Sequence, residues 1–140
     1  MKRFDGKPGD TAWFDEMYQQ IRHLWVVVTP PEGNSSRAVI VNLTSERAGS
    51  DTTVVLHPGD HPFIEAPTVV NYQAARIVRV EWLRKEIEGG FAWADHPFEP
   101  PQLKLIQDGA LHSPRIPRDV KEYFLRTMGL CAAKDEEGPY

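Results

Sequence analysis

Residues 23–29 read His-Leu-Trp-Val-Val-Val-Thr, and Pro30 and Pro31 follow at once. β-Branched and aromatic residues favour strands, whereas proline lacks the backbone N–H that a sheet ladder needs. A turn-forming stretch, Glu-Gly-Asn-Ser-Ser at 32–36, leads into a second apolar run, Ala-Val-Ile-Val-Asn-Leu-Thr at 38–44. We therefore expect 23–29 and 38–44 to be neighbouring antiparallel strands.

Three later segments also have strand character, namely 51–56, 68–72 and 75–78, and the last is equally compatible with the start of a helix. The segments are short and their connections are irregular. Such a pattern is typical of a small, strongly bent antiparallel barrel of four to five strands rather than of a flat sheet.

Helical patterns flank these strands. An apolar stripe near the start of the chain comprises Trp13, Met17, Ile21 and Leu24. Spacings of three and four residues indicate one face of a helix, so we expect a helix over 10–22. We also expect helices from 79 to the glycines at 89–90, over 102–107 and over 117–128. The predicted fold class is α+β, a bent barrel with an N-terminal helix and C-terminal helices.

The length of 140 residues suits a single domain, 1–140. Around the helix at 10–22 we expect a flexible N-terminus at 1–9, a barrel core at 23–78, a helical C-terminal part at 79–129 and a flexible tail at 132–140.

Composition excludes several classes of protein. The chain has one cysteine, Cys131, which excludes a disulfide scaffold. Its net charge of −4 means that the overall charge does not attract a polyphosphate such as nucleic acid. No apolar run reaches the roughly 18 residues that span a bilayer, and we expect a cytoplasmic protein with no membrane contact. Neither a phosphate-binding glycine motif nor a GxSxG nucleophile motif occurs.

The densest polar chemistry is His57-Pro58-Gly59-Asp60-His61. Two imidazoles and a carboxylate could act as acid, base and orienting group. A tight turn explains the same residues equally well, because proline, glycine and aspartate favour turns. Pro58 and Gly59 prevent the helix that would turn both histidines toward one metal ion, so we expect neither a metal nor a cofactor.

Two sets of residues could contact nucleic acid. The first brackets the second predicted strand and consists of Arg37, Thr44, Ser45 and Arg47. Guanidinium and hydroxyl groups together can hold a phosphate, although strand-end hydrogen bonds and solvated arginines are the alternative. The second set is Tyr72 with Arg76, which could stack on a base and meet an RNA backbone, although nearby glutamates also suit an ordinary mixed-charge surface.

The predicted strands and the last helix together carry a resemblance to a known family. The sequence has Thr44-Ser45 at a strand end, Asp-Thr-Thr-Val-Val-Leu at 51–56, Thr-Val-Val-Asn-Tyr-Gln-Ala-Ala-Arg-Ile-Val at 68–78, and a closing helix. Over 23–78 and 117–128 it resembles the PemK/MazF-like toxin superfamily. Those proteins carry a Thr-Ser or Thr-Thr at the end of a central strand and an Arg-Pro before the second strand.

The resemblance implies an SH3-like barrel and a metal-independent endoribonuclease that cleaves single-stranded RNA by attack of a 2′-hydroxyl. Arg37 would be the family's arginine, although Ala38 rather than proline follows it, and Thr44 would position the phosphate. For the acid and base, chemical aptitude favours His61 with Asp60 or His57. The resemblance also implies a homodimer and an antitoxin-like partner protein.

Two other hypotheses compete with the nuclease. One is a catalytically inactive small barrel that binds a protein partner, which the acidic composition favours. The other is a structural subunit of a larger assembly, with the tryptophan-rich N-terminal helix that carries Trp13 as its docking face.

Overall fold

The computed structural model describes residues 2–15, 22–34 and 36–129. It is an α+β fold in which an antiparallel six-stranded sheet curls into a half-barrel, accompanied by three helices. The strands are β1 (Thr11–Asp15), β2 (Arg22–Val27), β3 (Arg37–Ser45), β4 (Val55–Leu56), β5 (Thr68–Arg79) and β6 (Trp93–Asp95). The helices are α1 (Val80–Glu88), α2 (Pro100–His112) and α3 (Arg118–Thr127).

The strand order is β4-β5-β3-β2-β1-β6. The predicted antiparallel neighbours are confirmed as β2 and β3, with Trp25 opposite Asn42. β3 and β5 form the longest pairing, and their register shifts between Ile40 and Asn42. Such an irregularity bends a sheet, which accounts for part of the curl. Because β4 and β6 end the order, the sheet is an open half-barrel.

Each face of the sheet has its own apolar core. Side chains alternate along a strand, so Val39 and Val41 lie on one face and Ala38 and Ile40 on the other. The first pair belongs to the cluster completed by α2 and α3. The second pair belongs to the cluster completed by α1. We call these the α2/α3 face and the α1 face.

The predicted helix over 10–22 is wrong wherever the structure describes it. Residues 11–15 form β1, which pairs with β2 and β6, and Arg22 already belongs to β2. The run Thr-Ala-Trp-Phe has the β-branched and aromatic character of a strand, and it outweighs the helical spacing of Trp13 and Leu24. The carboxylate of Asp10 caps no helix; it accepts the backbone N–H groups of residues 5–7 at 2.8–3.3 Å.

The C-terminal elements agree more closely with expectation. α1 and α3 begin within one residue of their predicted starts. Three boundaries differ: 68–79 is one strand, β4 keeps only two residues of the segment 51–56, and α2 is a 13-residue helix. α2 continues through Gly109, where a Cβ would lie 2.1 Å from the Tyr72 hydroxyl. The glycine is therefore needed for the helix to pack closely against β5, and it does not end the helix.

Several expectations concern parts of the chain outside the described residues. They are Met17, Ile21, Cys131 and the tail at 132–140. The segment predicted to be flexible at 1–9 is hydrogen-bonded to the sheet at Gly9, whose N–H donates to the Val27 carbonyl at 2.8 Å. Of the helices in the described ranges, none combines the length and apolarity needed to cross a bilayer.

Candidate functional site

The loop His57–His61 is internally hydrogen-bonded. Asp60 accepts the backbone N–H of His57 through Oδ2 at 2.8 Å and the side-chain amide of Gln102 through Oδ1 at 3.3 Å. The Asp60 N–H in turn donates to the His57 carbonyl at 2.9 Å. The carboxylate therefore closes a turn and ties it to α2, as the turn alternative supposed.

His61 has no ring nitrogen left for a substrate. The side chain is 3% exposed, and Nδ1 accepts the N–H of Phe63 at 3.1 Å. With Nδ1 as an acceptor, Nε2 carries the proton and donates to the His96 carbonyl at 2.7 Å. Burial lowers the pKa of His61, which favours this neutral form. The arrangement is that of a structural histidine.

Arg37 and Thr44 lie far apart. Arg37 opens β3 and Thr44 is the penultimate residue of the same strand, which separates their Cα atoms by roughly 23 Å at about 3.3 Å per residue. They also face opposite sides of the sheet, because seven positions separate them. The Arg37 guanidinium instead lies 5.8 Å from the ring centroid of Tyr123 on α3. A single chain therefore does not bring these two residues to one phosphate.

The other residues predicted to contact RNA are not brought together at one place either. Tyr72 is fully buried on the α2/α3 face, and its hydroxyl donates to the Ile106 carbonyl at 2.7 Å, so its ring is not presented to a base. Burial raises the pKa of this phenol. Ser45 and Arg47 are exposed near the end of β3. Arg76 lies on the α1 face, with its guanidinium 6.0 Å from the ring centroid of Trp25.

A different constellation forms where β2 begins and β3 ends. Trp25 and Asn42 are the last pair of the β2–β3 ladder, and two residues beyond them come His23 and Thr44, both on the α1 face. Both are half-buried, and no side-chain hydrogen bond within the described chain engages either of them. Flanking them, Arg22 and Ser45 are exposed. The four residues of this strand-end site are Arg22, His23, Thr44 and Ser45.

The Arg22 side chain extends toward the edge of the sheet. Its guanidinium carbon lies 4.3 Å from the ring centroid of Trp93 on β6, a cation–π contact. Trp93 is opposite Trp13 on β1, and Trp13 donates its indole N–H to Asp95 at 2.6 Å. Trp13 is therefore part of the sheet's own packing, which removes the observation behind a docking helix at the N-terminus.

A row of polar side chains adjoins the strand-end site on the α1 face. Trp25, Asn42 and Asn71 lie side by side on β2, β3 and β5, and we call them the carboxamide row. Phe14 stacks on Trp25 with centroids 5.0 Å apart and an interplanar angle of 11°, which fixes the indole. Asn71 is half-buried, so the row reaches solvent at β5.

Sequence reasoning missed Arg22 and His23, although a signal was present. They immediately precede the apolar core of β2, and a polar pair at a strand start marks a sheet end. The mistaken helix over 10–22 hid this signal, because it left β1 uncounted.

No group of three or more His, Cys, Asp and Glu side chains within 2–15, 22–34 and 36–129 is placed to hold a metal ion. No known protein-family model matches the chain, and no characterised protein is detectably similar to it in sequence. The resemblance to the PemK/MazF-like toxins therefore remains a prediction from the residues.

Proposed function

We propose that this protein is an endoribonuclease of the PemK/MazF-like kind, built on an SH3-like half-barrel and acting on single-stranded RNA. The observation that carries the proposal is that His23 and Thr44 share the α1 face at one end of the sheet, each two residues beyond the last β2–β3 pair. An imidazole and a hydroxyl lie there on one face, partly open to solvent and without hydrogen-bonding partners in the described chain.

Counting strands correctly also reassigns the arginine. In the family that the sequence resembles, the arginine that serves in cleavage precedes the second strand. With β1 recognised as a strand, the second strand is β2, which opens with Arg22. Arg22 is followed by His23 rather than proline, so the pattern is matched in part. This placement puts the arginine at the same sheet end as Thr44, although on the opposite face, whereas Arg37 lies at the other end of β3.

The proposed chemistry uses three groups. His23 accepts the proton of a ribose 2′-hydroxyl, whose oxygen attacks the adjacent phosphorus. The P–O5′ bond breaks, and the departing oxygen takes a proton from water. Thr44 donates a hydrogen bond to the phosphate, and Arg22 offsets the charge that develops on it. Arg22 itself lies on the α2/α3 face, opposite to His23 and Thr44, so for this its guanidinium leaves the ring of Trp93 and passes around the exposed start of β2 when phosphate binds. The products are a 2′,3′-cyclic phosphate and a 5′-hydroxyl.

Cleavage of a labelled 20-nucleotide single-stranded RNA in the presence of a chelator tests the proposal. We expect cleavage that yields a 2′,3′-cyclic phosphate. Replacing the ribose at the cleavage position by 2′-deoxyribose should abolish it, because the attacking hydroxyl is then absent. His23→Gln should lower kcat on the order of 100-fold or more, the usual size of an acid–base contribution. Thr44→Val should lower it on the order of 10²-fold, as expected for a lost hydrogen bond to the developing charge.

His112→Gln is the matched control, since His112 lies on α2 and should leave cleavage unchanged. Loss of activity in His57→Gln with His23→Gln unaffected would return the acid–base role to the His57–His61 loop. Intact RNA with the wild-type protein would remove the proposal altogether. The homodimer and the antitoxin-like partner implied by the resemblance remain predictions that accompany it.

A further inference from the structure

Three aromatic rings on the α1 face form a ladder that runs from the core to the surface. Trp25 and Phe14 stack with their centroids 5.0 Å apart and an interplanar angle of 11°. Trp82 on α1 meets Phe14 with the centroids 5.7 Å apart and an angle of 89°. Trp25 and Phe14 are buried, whereas Trp82 is 41% exposed. We call these three residues the aromatic ladder, and Trp82 is its outer end.

The contact with Phe14 holds the indole of Trp82 and leaves part of it open. Two rings at right angles meet edge to face, so Phe14 covers at most one of the two indole faces. The exposed fraction shows that solvent reaches the rest of the side chain. Trp82 is therefore an aromatic surface that is already positioned in the free protein, and a flat ligand that stacks on it need not order the side chain.

The aromatic ladder adjoins the strand-end site. Phe14 on β1 lies directly opposite His23 on β2. Side chains of directly opposite residues share a face and lie about 5 Å apart. The indole of Trp82 is therefore on the order of 10 Å from His23, on the face that His23 shares with Thr44. A base stacked on Trp82 belongs to a nucleotide close to the phosphate on which these two residues act.

We propose that Trp82 is the platform on which one base of the single-stranded RNA stacks, an inference that rests on the proposed function. Single-stranded nucleic acids are commonly bound by stacking of unpaired bases on aromatic side chains. Every base has a π-face, so such a platform holds the strand without selecting its sequence. Trp82 thereby takes the stacking role that the sequence suggested for Tyr72, whose ring is buried.

The charges around Trp82 favour a nucleic-acid strand as the ligand. Lys85, one turn after Trp82 on α1, is exposed and makes no ion pair within the described residues. Glu81 is paired with Arg84 at 3.3 Å, and Glu86 is half-buried. The cation is therefore more available to a ligand than the carboxylates, which favours the phosphate backbone of a nucleic acid over an acidic peptide.

Fluorescence anisotropy on two 2′-O-methyl oligonucleotides, oligouridine and oligoadenosine, tests the platform. These probes lack the attacking hydroxyl, so they report binding without cleavage. Trp82→Ala should weaken the binding of both probes by roughly 10-fold or more, the usual contribution of one stacked base. Trp82→Phe keeps a ring for stacking and should stay within about threefold of the wild-type protein.

Phe91→Ala is the matched control, because Phe91 is an aromatic residue that is 71% exposed but does not belong to the ladder. It should bind both probes as the wild-type protein does. Thermal unfolding establishes that Trp82→Ala is folded. A second measurement does not need that variant. RNA should quench tryptophan fluorescence in the wild-type protein, and most of this quenching should be absent in Trp82→Phe although the RNA still binds.

The outcomes separate this proposal from the nuclease. Binding that depends on the ring at position 82, in a protein that leaves RNA uncut, supports the platform and removes the nuclease. Cleavage together with unchanged binding by Trp82→Ala overturns the platform and keeps the nuclease. A loss confined to one of the two probes also overturns the platform, because stacking does not select a sequence. So does an equal loss in Phe91→Ala, which would mean that exposed aromatic rings in general hold the RNA.

Discussion

The His57–His61 loop and the strand-end site differ in how their polar groups are used. In the loop, Asp60 and both ring nitrogens of His61 are hydrogen-bonded within the chain. At the strand-end site, the side chains of His23 and Thr44 have no such bonds in the described chain. The loop has the denser chemistry in sequence, yet the sheet end has the groups that can still act on a ligand.

This difference follows from the local backbone. An irregular loop that contains Pro58 and is followed by Pro62 cannot satisfy its N–H groups through a ladder, so its side chains do so instead. Strands satisfy their own backbone, which leaves side chains at a strand end uncommitted. Density of catalytic residue types in a sequence is therefore a weaker guide to function than the availability of their polar atoms.

The largest effect that we expect is the loss of stability caused by a substitution in the His57–His61 loop. His61→Ala removes the acceptor of the Phe63 N–H and the donor to the His96 carbonyl, and it leaves a cavity beside Phe98, whose ring centroid is 4.7 Å from the imidazole. We expect a loss of about 3 kcal/mol in the free energy of unfolding. Urea unfolding measures it, and His57→Ala is the exposed control, expected to change by less than about 0.5 kcal/mol. A fully stable His61→Ala protein would contradict the structural role.

Tyr72→Phe should have the next largest effect. The substitution removes the buried hydroxyl that donates to the Ile106 carbonyl at 2.7 Å and keeps the ring. We expect a loss of about 1 kcal/mol in the free energy of unfolding, the usual net contribution of one hydrogen bond, since the Ile106 carbonyl inside α2 keeps its helical partner. RNA binding should be unchanged, since Tyr72 is fully buried. Weaker RNA binding with unchanged stability would restore the stacking role predicted from sequence.

How much the sequence predicts depends on whether neighbouring signals agree. The pair β2 and β3 was predictable because β-branched runs, prolines and a turn all indicated the same hairpin. β1 was not, because Trp13 and Leu24 happen to share helical spacing across a segment that contains two strands. α2 was predicted too short because Gly109 suggested a helix end, whereas close packing against Tyr72 requires a glycine inside the helix.

The site was less predictable than the fold. Thr44 at a strand end was identified from a family pattern, but its neighbour His23 depends on the register between β2 and β3. Register is a property of two strands together, and the misassigned β1 shifted the count by one strand. The arginine before the strand counted as second was therefore Arg37, whereas our proposal takes Arg22.

The third effect is a pH dependence of stability. Burial lowers the pKa of His61 below the ordinary value of 6.5. As the pH falls below about 6.5 the unfolded chain takes up a proton at this residue that the folded protein does not, so the free energy of unfolding decreases. Burial by itself would raise the pKa values of Asp51 and Asp95, but their hydrogen bonds taken together, from Ser113 and Thr53 to Asp51 and from Trp13 and the His96 N–H to Asp95, lower them, and these groups act near and below 3.8.

Urea unfolding at intervals from pH 7.5 to 5 isolates the histidine contribution. In His61→Ala the decrease across this range should be smaller than in the wild-type protein, because the residue that titrates only in the unfolded state is gone. Identical slopes for the two proteins would show that the imidazole takes up its proton equally in both states, which would contradict its burial.

The smallest expected effect is on the stability of the His23 and Thr44 variants. It is the most direct test of whether the strand-end site differs from the loop in having side chains that the fold does not need. His23→Gln and Thr44→Val remove no hydrogen bond within the described chain, and both side chains are half-buried. We expect each variant to unfold within about 0.5 kcal/mol of the wild-type protein, since substitutions away from cores and networks have little effect. A loss of 2 kcal/mol or more in either variant would mean that these groups are committed to the fold as those of the loop are. RNA cleavage would then need to be assigned to other residues, because a side chain that holds the sheet end together is not free to act on a phosphate.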